Sequence, residues 1–230
     1  MAAGVAVNDA MQFHYSDDIW SFNPNKKKLA PHKNIKLSKD EAIAKALEKF
    51  MEYIPVNEKD RAKKEHYQET IPQTIQQGYL AFEKIGIQNS NKVVAEDSIN
   101  HIDDRLSLPI VGRTDAHFTT NKVFNAAEQS VAAPFDDHGQ SSVLSDLSVV
   151  ELKTSWSRPG RVRKDGSLSF ASAKLPSTPN INHLQQLAFY CWSLRKRAST
   201  ISPYLIYLTE GDFVIFTEKN CADLEPQNLK

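Results

Sequence analysis

Ser38-Lys39-Asp40-Glu41 opens the first clear hydrophobic period of the chain. Behind this capping box, Ile43, Leu47, Phe50, Met51 and Ile54 recur at helical spacing until Pro55 ends the run. A second box, Thr70-Ile71-Pro72-Gln73, predicts another helix with proline in its first turn, where a missing N–H is harmless. Ile71, Ile75, Phe82 and Ile85 form its apolar stripe, and Gly86 suits its C-terminal cap. Beyond Gly86 the texture changes. Residues 93–95, 108–111, 147–150, 204–208 and 213–216 are short β-branched or aromatic runs bounded by turn residues, which predicts strands. Glu210-Gly211 marks a tight hairpin between the last two. A third helix is predicted from about Ile181 to Arg197. Residues 1–37 read as an irregular arm with aromatic anchors at Phe13, Tyr15, Trp20 and Phe22, and residues 125–146 as a long mobile loop.

This order predicts one α/β domain over 38–220, with a mixed β-sheet flanked by helices, followed by a short C-terminal tail at 221–230. Of the 230 residues, 40% are hydrophobic and 24% charged, as in an ordinary globular chain. No apolar run approaches the roughly 20 residues of a membrane span, so no membrane partner is expected. The N-terminus lacks the basic and apolar regions of a secretory signal. Two cysteines, Cys191 and Cys221, are too few for a disulfide framework or a four-thiolate iron–sulfur cluster. These features lead us to expect a cytoplasmic protein. The absence of a Gly-rich phosphate loop argues against ATP chemistry. Acidic and basic residues balance at 28 each, so only local charge is informative. Between Lys153 and Lys174, six cations (Lys153, Arg158, Arg161, Arg163, Lys164 and Lys174) stand against the single anion Asp165. A second basic cluster, Lys26, Lys27, Lys28, Lys33 and Lys36, precedes the first helix.

The first basic segment directly follows a candidate catalytic strand. Gly112-Arg113-Thr114-Asp115 ends one apolar run and Val149-Val150-Glu151-Leu152-Lys153 ends the next. Glu151 and Lys153 are two apart and point to one face of a strand; pairing of the two strands sets Asp115 beside Glu151. Two carboxylates at one sheet end suit an oxygen-ligated Mg²⁺ or Mn²⁺, and a neighbouring lysine can orient water toward a phosphate. On the predicted third helix, His183, Gln186, Tyr190 and Arg197 share one face, opposite a stripe of Leu184, Leu187, Ala188 and Cys191.

Gly-x-x-Asp at 112–115, Glu-x-Lys at 151–153 and Gln-x-x-x-Tyr at 186–190 resemble, in that order, the PD-(D/E)XK nuclease superfamily and its RecB-like and phage-exonuclease branch. The resemblance covers about half the chain, from Val93 to Phe216. It implies a restriction-endonuclease-like fold. Its Asp115 and Glu151 would bind Mg²⁺ or Mn²⁺ with the Leu152 carbonyl, and its Lys153 would position the attacking water. Gln186 and Tyr190 would hold DNA and brace the site, alongside His183, Arg158, Arg161 and Arg163 as DNA-binding residues. The implied function is a metal-dependent DNA exonuclease acting on free ends. A structure- or site-selective endonuclease, or a catalytically inactive nuclease fold that binds DNA, are the alternatives. The sequence departs from the pattern in a long spacing between Asp115 and Glu151. It also has Ala44 and Lys45 where an early-helix histidine is usual, leaving Glu41 or Glu83 as candidate upstream metal ligands, and it lacks iron–sulfur cysteines.

Asp136-Asp137-His138 and His101 with Asp103 and Asp104 read more simply as loop and turn residues, and Cys191 as core. Trp156 divides evenly between a packed residue and a platform for a DNA base.

Overall fold

The architecture is organised around strand β7 (Asp146–Thr154), which is buried on both faces. The structure, a computed structural model, describes residues 2–23, 28–101, 110–120, 146–164, 167–195, 198–225 and 228. In chain order its elements begin with helix α1 (Ala2–Tyr15), strands β1 (Asp18–Asn23) and β2 (Lys28–Lys33), and helices α2 (Lys39–Met51) and α3 (Glu58–Lys84). Strands β3 (Lys92–Ala95), β4 (Ser98–His101), β5 (Ile110–Arg113) and β6 (Ala116–Thr120) lead to β7. Then come β8 (Arg158–Val162), β9 (Leu168–Ala171), helix α4 (Ile181–Leu194), β10 (Ile201–Leu208) and β11 (Phe213–Phe216).

Seven strands form one mixed sheet in the order β11-β10-β7-β6-β3-β1-β2. β7 runs parallel to β10 and antiparallel to β6, and β3 runs antiparallel to β6 and parallel to β1. β4–β5 and β8–β9 are separate two-stranded ribbons. The period-2 alternation of the central strands sorts their side chains into two cores. Val150 and Leu152 of β7, with Ile206 and Leu208 of β10, join α1, α2 and α3 on one side. Val149, Leu205 and Tyr207 join Leu184, Leu187, Cys191 and Leu194 of α4 on the other. The expected α/β domain with a helix-flanked mixed sheet is thus present.

Several boundaries differ from the sequence reading. Residues 1–37 are not an irregular arm: α1 buries Ala3, Ala6, Val7, Ala10 and Met11, and β1 and β2 extend the sheet. Small alanines supply the period here, which is why a search for large apolar residues misses it. Phe13 and Tyr15 are buried in this region, as anchoring aromatics should be. The Thr70 box does not start a helix. α3 begins at Glu58 behind an Asn57 cap and carries Pro72 in its interior, where the hydroxyls of Thr70 and Thr74 back-bond to the carbonyls of His66 and Thr70. Gly86 does follow the helix at φ 81°, in the left-handed region. The Ser38 capping box forms as expected, but α2 buries Ala42, Ala46 and Phe50 while Met51 and Ile54 are exposed. In the 221–230 tail, a 3₁₀ turn at Ala222–Leu224 buries Leu224 in the α4-side core. Most of the expected loop at 125–146, with Asp136, Asp137 and His138, lies outside the described residues, as do Asp103, Asp104, Lys26, Lys27 and Arg197. Among the described residues, no helix is long and apolar enough to cross a membrane.

Met11→Ala tests whether α1 belongs to the fold. Its side chain is 2% exposed, and truncation should cost about 2–5 kcal/mol in a urea unfolding curve; a detachable arm would lose nothing.

Candidate active site

β6 and β7 pair with Ala116 opposite Val150, so Asp115, one residue before β6, comes beside Glu151. The strand that delivers Asp115 is therefore the one that follows it, whereas the sequence pointed to the run before it. Asp115 Oδ2 accepts the Leu152 backbone N–H at 2.7 Å, and its Oδ1 accepts the Asn8 amide at 3.3 Å. Glu151 and Lys153 share the α4-facing side of β7, as their spacing requires, and the Lys153 ammonium contacts Glu151 Oε1.

Lys153 Nζ also donates to Gln186 Oε1 at 3.0 Å, and Gln186 Nε2 donates to the Tyr190 hydroxyl at 2.7 Å. That hydroxyl also meets the Arg113 backbone. The relay ties β7 through α4 to β5. It depends on Gly112: a Cβ there would lie 2.7 Å from Tyr190 Cε1, so only glycine lets the ring approach. Tyr190 is 4% exposed, so its ring is packed inside the protein between α4 and Gly112. His183 is half-buried, with Nδ1 2.8 Å from the Tyr207 hydroxyl. Burial, and then the Lys153 charge, hold its pKa below the usual imidazole range. A cleft of about 370 Å³ is lined by Asp115, Lys153 and His183 together with Gly4, Val5 and Asn8 of α1.

Neither expected upstream carboxylate reaches this site. Glu41 is spent on its capping box, and Glu83 pairs with Lys39. Glu96, which the sequence reading passed over, does approach. It follows β3 at φ 55° and accepts from Gln12 at 2.8 Å and from Asn8 at 3.1 Å, while its charge acts on both Asp115 and Glu151. Its signal was available, because Glu96 directly follows the apolar run 93–95 just as Glu151 follows the run 147–150.

Loss of water is the largest influence on both central carboxyls. It pushes Asp115 up to about 6 against the opposing Leu152 N–H and Lys153 charge. It pushes Glu151 up to about 8, reinforced by the Asp115 charge and opposed by Lys153. Glu151 is 1% exposed, and its Oε2 has no hydrogen-bond partner. Among the described residues, no three His, Cys, Asp or Glu side chains form a complete metal cage. A hard divalent ion needs less: Mg²⁺ is commonly held by one or two carboxylates and keeps several waters. Asp115 and the unpartnered oxygen of Glu151 fit that requirement.

Arg158, Arg161 and Arg163 are exposed on or beside the β8–β9 ribbon, which the sequence reading did not predict. Lys33 and Lys36 of the other basic cluster pair with Asp18 and Asp17. Comparisons with models of protein families, with curated proteins and with solved structures return no match to this chain.

The desolvated carboxyl pair predicts a pH dependence in divalent-free buffer. The folded chain retains protons on Asp115 and Glu151 that the unfolded chain releases above pH about 4. The unfolded state then binds fewer protons, so this contribution to stability falls as pH rises from about 4 to 8. Melting temperatures should show the decline, and Glu151→Gln should flatten its upper half. Parallel profiles for wild type and Glu151→Gln would rule out the effect.

Proposed function

We propose that the chain is a metal-dependent deoxyribonuclease of the PD-(D/E)XK type, acting on DNA ends with Mg²⁺ or Mn²⁺. The observation that carries this reading is the convergence of Asp115, Glu151 and Lys153 at one end of adjoining strands, with Glu151 Oε2 buried and unpartnered. An uncompensated buried carboxylate is costly, and a cation is the species that would compensate it. The three motifs also lie at a strand end, on a strand and on a helix, in keeping with the resemblance.

Asp115 and Glu151, with the Leu152 carbonyl by resemblance, would hold the ion. When bound, it supplies Lewis acidity at a phosphoryl oxygen and acidifies water. The chain's own residues set the geometry. Leu152 N–H and the Asn8 amide fix Asp115, while Glu151 and Gln186 hold the Lys153 ammonium where it can orient a water. Tyr190 locks Gln186 in place, and His183 lines the same cleft as Asp115 and Lys153. Attack of water on phosphorus expels the bridging oxygen and leaves a phosphomonoester and an alcohol.

Incubating linear and closed circular DNA with the protein and Mg²⁺ or Mn²⁺ tests the activity. Loss of linear DNA alone is expected. Nicking of the circle would assign an endonuclease, and binding without cleavage of either would overturn the enzymatic reading.

Asp115→Asn and Glu151→Gln should each lower cleavage by about a hundredfold or more while leaving DNA binding largely intact. Lys153→Ala should lower it by about 10²–10⁴-fold, the usual range for a lost proton-handling group. Appreciable cleavage by Glu151→Gln at saturating Mg²⁺ would displace the site.

A further inference from the structure

A second cleft, of about 530 Å³, adjoins the carboxylate site and shares Thr154 and Ser155 with it. Trp156, Arg158, Ser172 and Lys174 complete the lining that matters. The indole is fixed: Trp156 Nε1 donates to Thr154 Oγ1 at 3.0 Å, and the ring packs on Tyr67 at 5.2 Å between centroids. The ribbon that carries Arg158 is fixed too. The Tyr67 hydroxyl donates to the Ser157 carbonyl at 3.1 Å, and Phe170 stacks on His66 at 3.8 Å. Arg158 and Lys174 are both exposed, and neither forms an ion pair among the described residues. The cleft therefore offers two uncommitted cations, small hydroxyls and an immobilised aromatic wall.

We infer that this second cleft is a subsite for an unpaired DNA strand, in which Arg158 and Lys174 bind phosphates flanking the scissile one and a base packs against Trp156. The inference rests on the nuclease reading of the adjoining site, because a strand whose phosphate sits at Asp115 and Glu151 has this cleft as its immediate continuation across Thr154 and Ser155. Cations select a polyanion, and an indole beside them selects an unpaired base, since paired bases keep their faces stacked. Arg161 and Arg163 lie further along the ribbon and line neither cleft, so the subsite divides the basic segment in two.

Fluorescence anisotropy of a labelled oligothymidylate, across a salt series in Ca²⁺, tests the assignment. Each phosphate neutralised on a single strand contributes about −0.7 to the slope of log K against log salt. Arg158→Ala with Lys174→Ala should flatten the slope by about one to one and a half units, while Arg161→Ala with Arg163→Ala keeps the wild-type slope. Trp156→Leu should weaken binding about tenfold without changing the slope, and Trp156→Phe should restore most of the loss. An unchanged slope in the first double variant, or a loss carried by the second, would overturn the subsite. Cleavage of linear DNA in Mg²⁺ separates this failure from failure of the parent reading. Wild-type binding through Arg158 and Lys174 without cleavage supports the cleft and defeats the nuclease. Undiminished cleavage and binding by the Arg158, Lys174 double variant defeats the cleft alone.

Discussion

Glu151 is a carboxylate placed where the surrounding strand is otherwise apolar. β7 must be hydrophobic on both faces, because helices cover both sides of the sheet at that point. A polar residue in such a strand has no solvent to turn to, so its partners must be supplied by neighbouring elements. Lys153 supplies one, from two positions along the same strand, and is itself held by Gln186 from α4. The remaining elements are arranged around this need. Gly112 admits Tyr190, Tyr190 orients Gln186, and Asn8 steadies Asp115 from the far end of the chain. One oxygen of Glu151 is left over, and that residual demand gives the site its chemical character.

The charge on the rest of the molecule is sorted in the same spirit. Lys33, Lys36, Lys39, Lys49 and Lys92 all face acidic partners, which makes them features of the fold. Arg158 and Lys174 have none among the described residues and line a groove that shares Thr154 and Ser155 with the cleft at Asp115. Surface cations are abundant in any neutral protein; those without counter-charges beside a chemically loaded cleft are far fewer. Exposed pairs of the first kind contribute little to stability, so their main effect is to neutralise those lysines locally.

Much of the site could be read from the sequence because it is local. Glu151 and Lys153 are two residues apart, and Gln186 and Tyr190 four apart, so strand and helix periodicity fixed their common faces before any tertiary contact was known. Asp115 does come beside Glu151, but through β6, which the sequence reading did not foresee; the expected run before it, β5, pairs with β4 in a separate ribbon. Other parts required long-range information. Asn8 meets Asp115 across 107 residues and Glu96 across 88, which no periodicity encodes. α1 escaped notice because its buried face is built from alanines, whose spacing at 3, 6 and 10 is helical but whose hydrophobicity is slight. Pro72 misled in the opposite direction: its preference for a helix start was overridden by the packing of Ile71 and Ile75 in the middle of α3. The ribbon β8–β9 carries glycine, proline and charge in place of an apolar alternation, so it read as a basic segment without structure.

The parallel pairing of β7 with β10 has a consequence in time. Parallel neighbours need a crossover, and here it consists of the β8–β9 ribbon and the whole of α4, so β10 is synthesised after all of them. Until Ile201–Leu208 and α4 are both in place, nothing covers the α4-facing side of β7, and Glu151 stays in water with ordinary acidity and no unmet demand. The high sequence separation of these contacts makes their closure slow relative to formation of the helices. A growing chain therefore keeps Glu151 hydrated, and its second oxygen loses contact with water only when α4 and β10 close over β7.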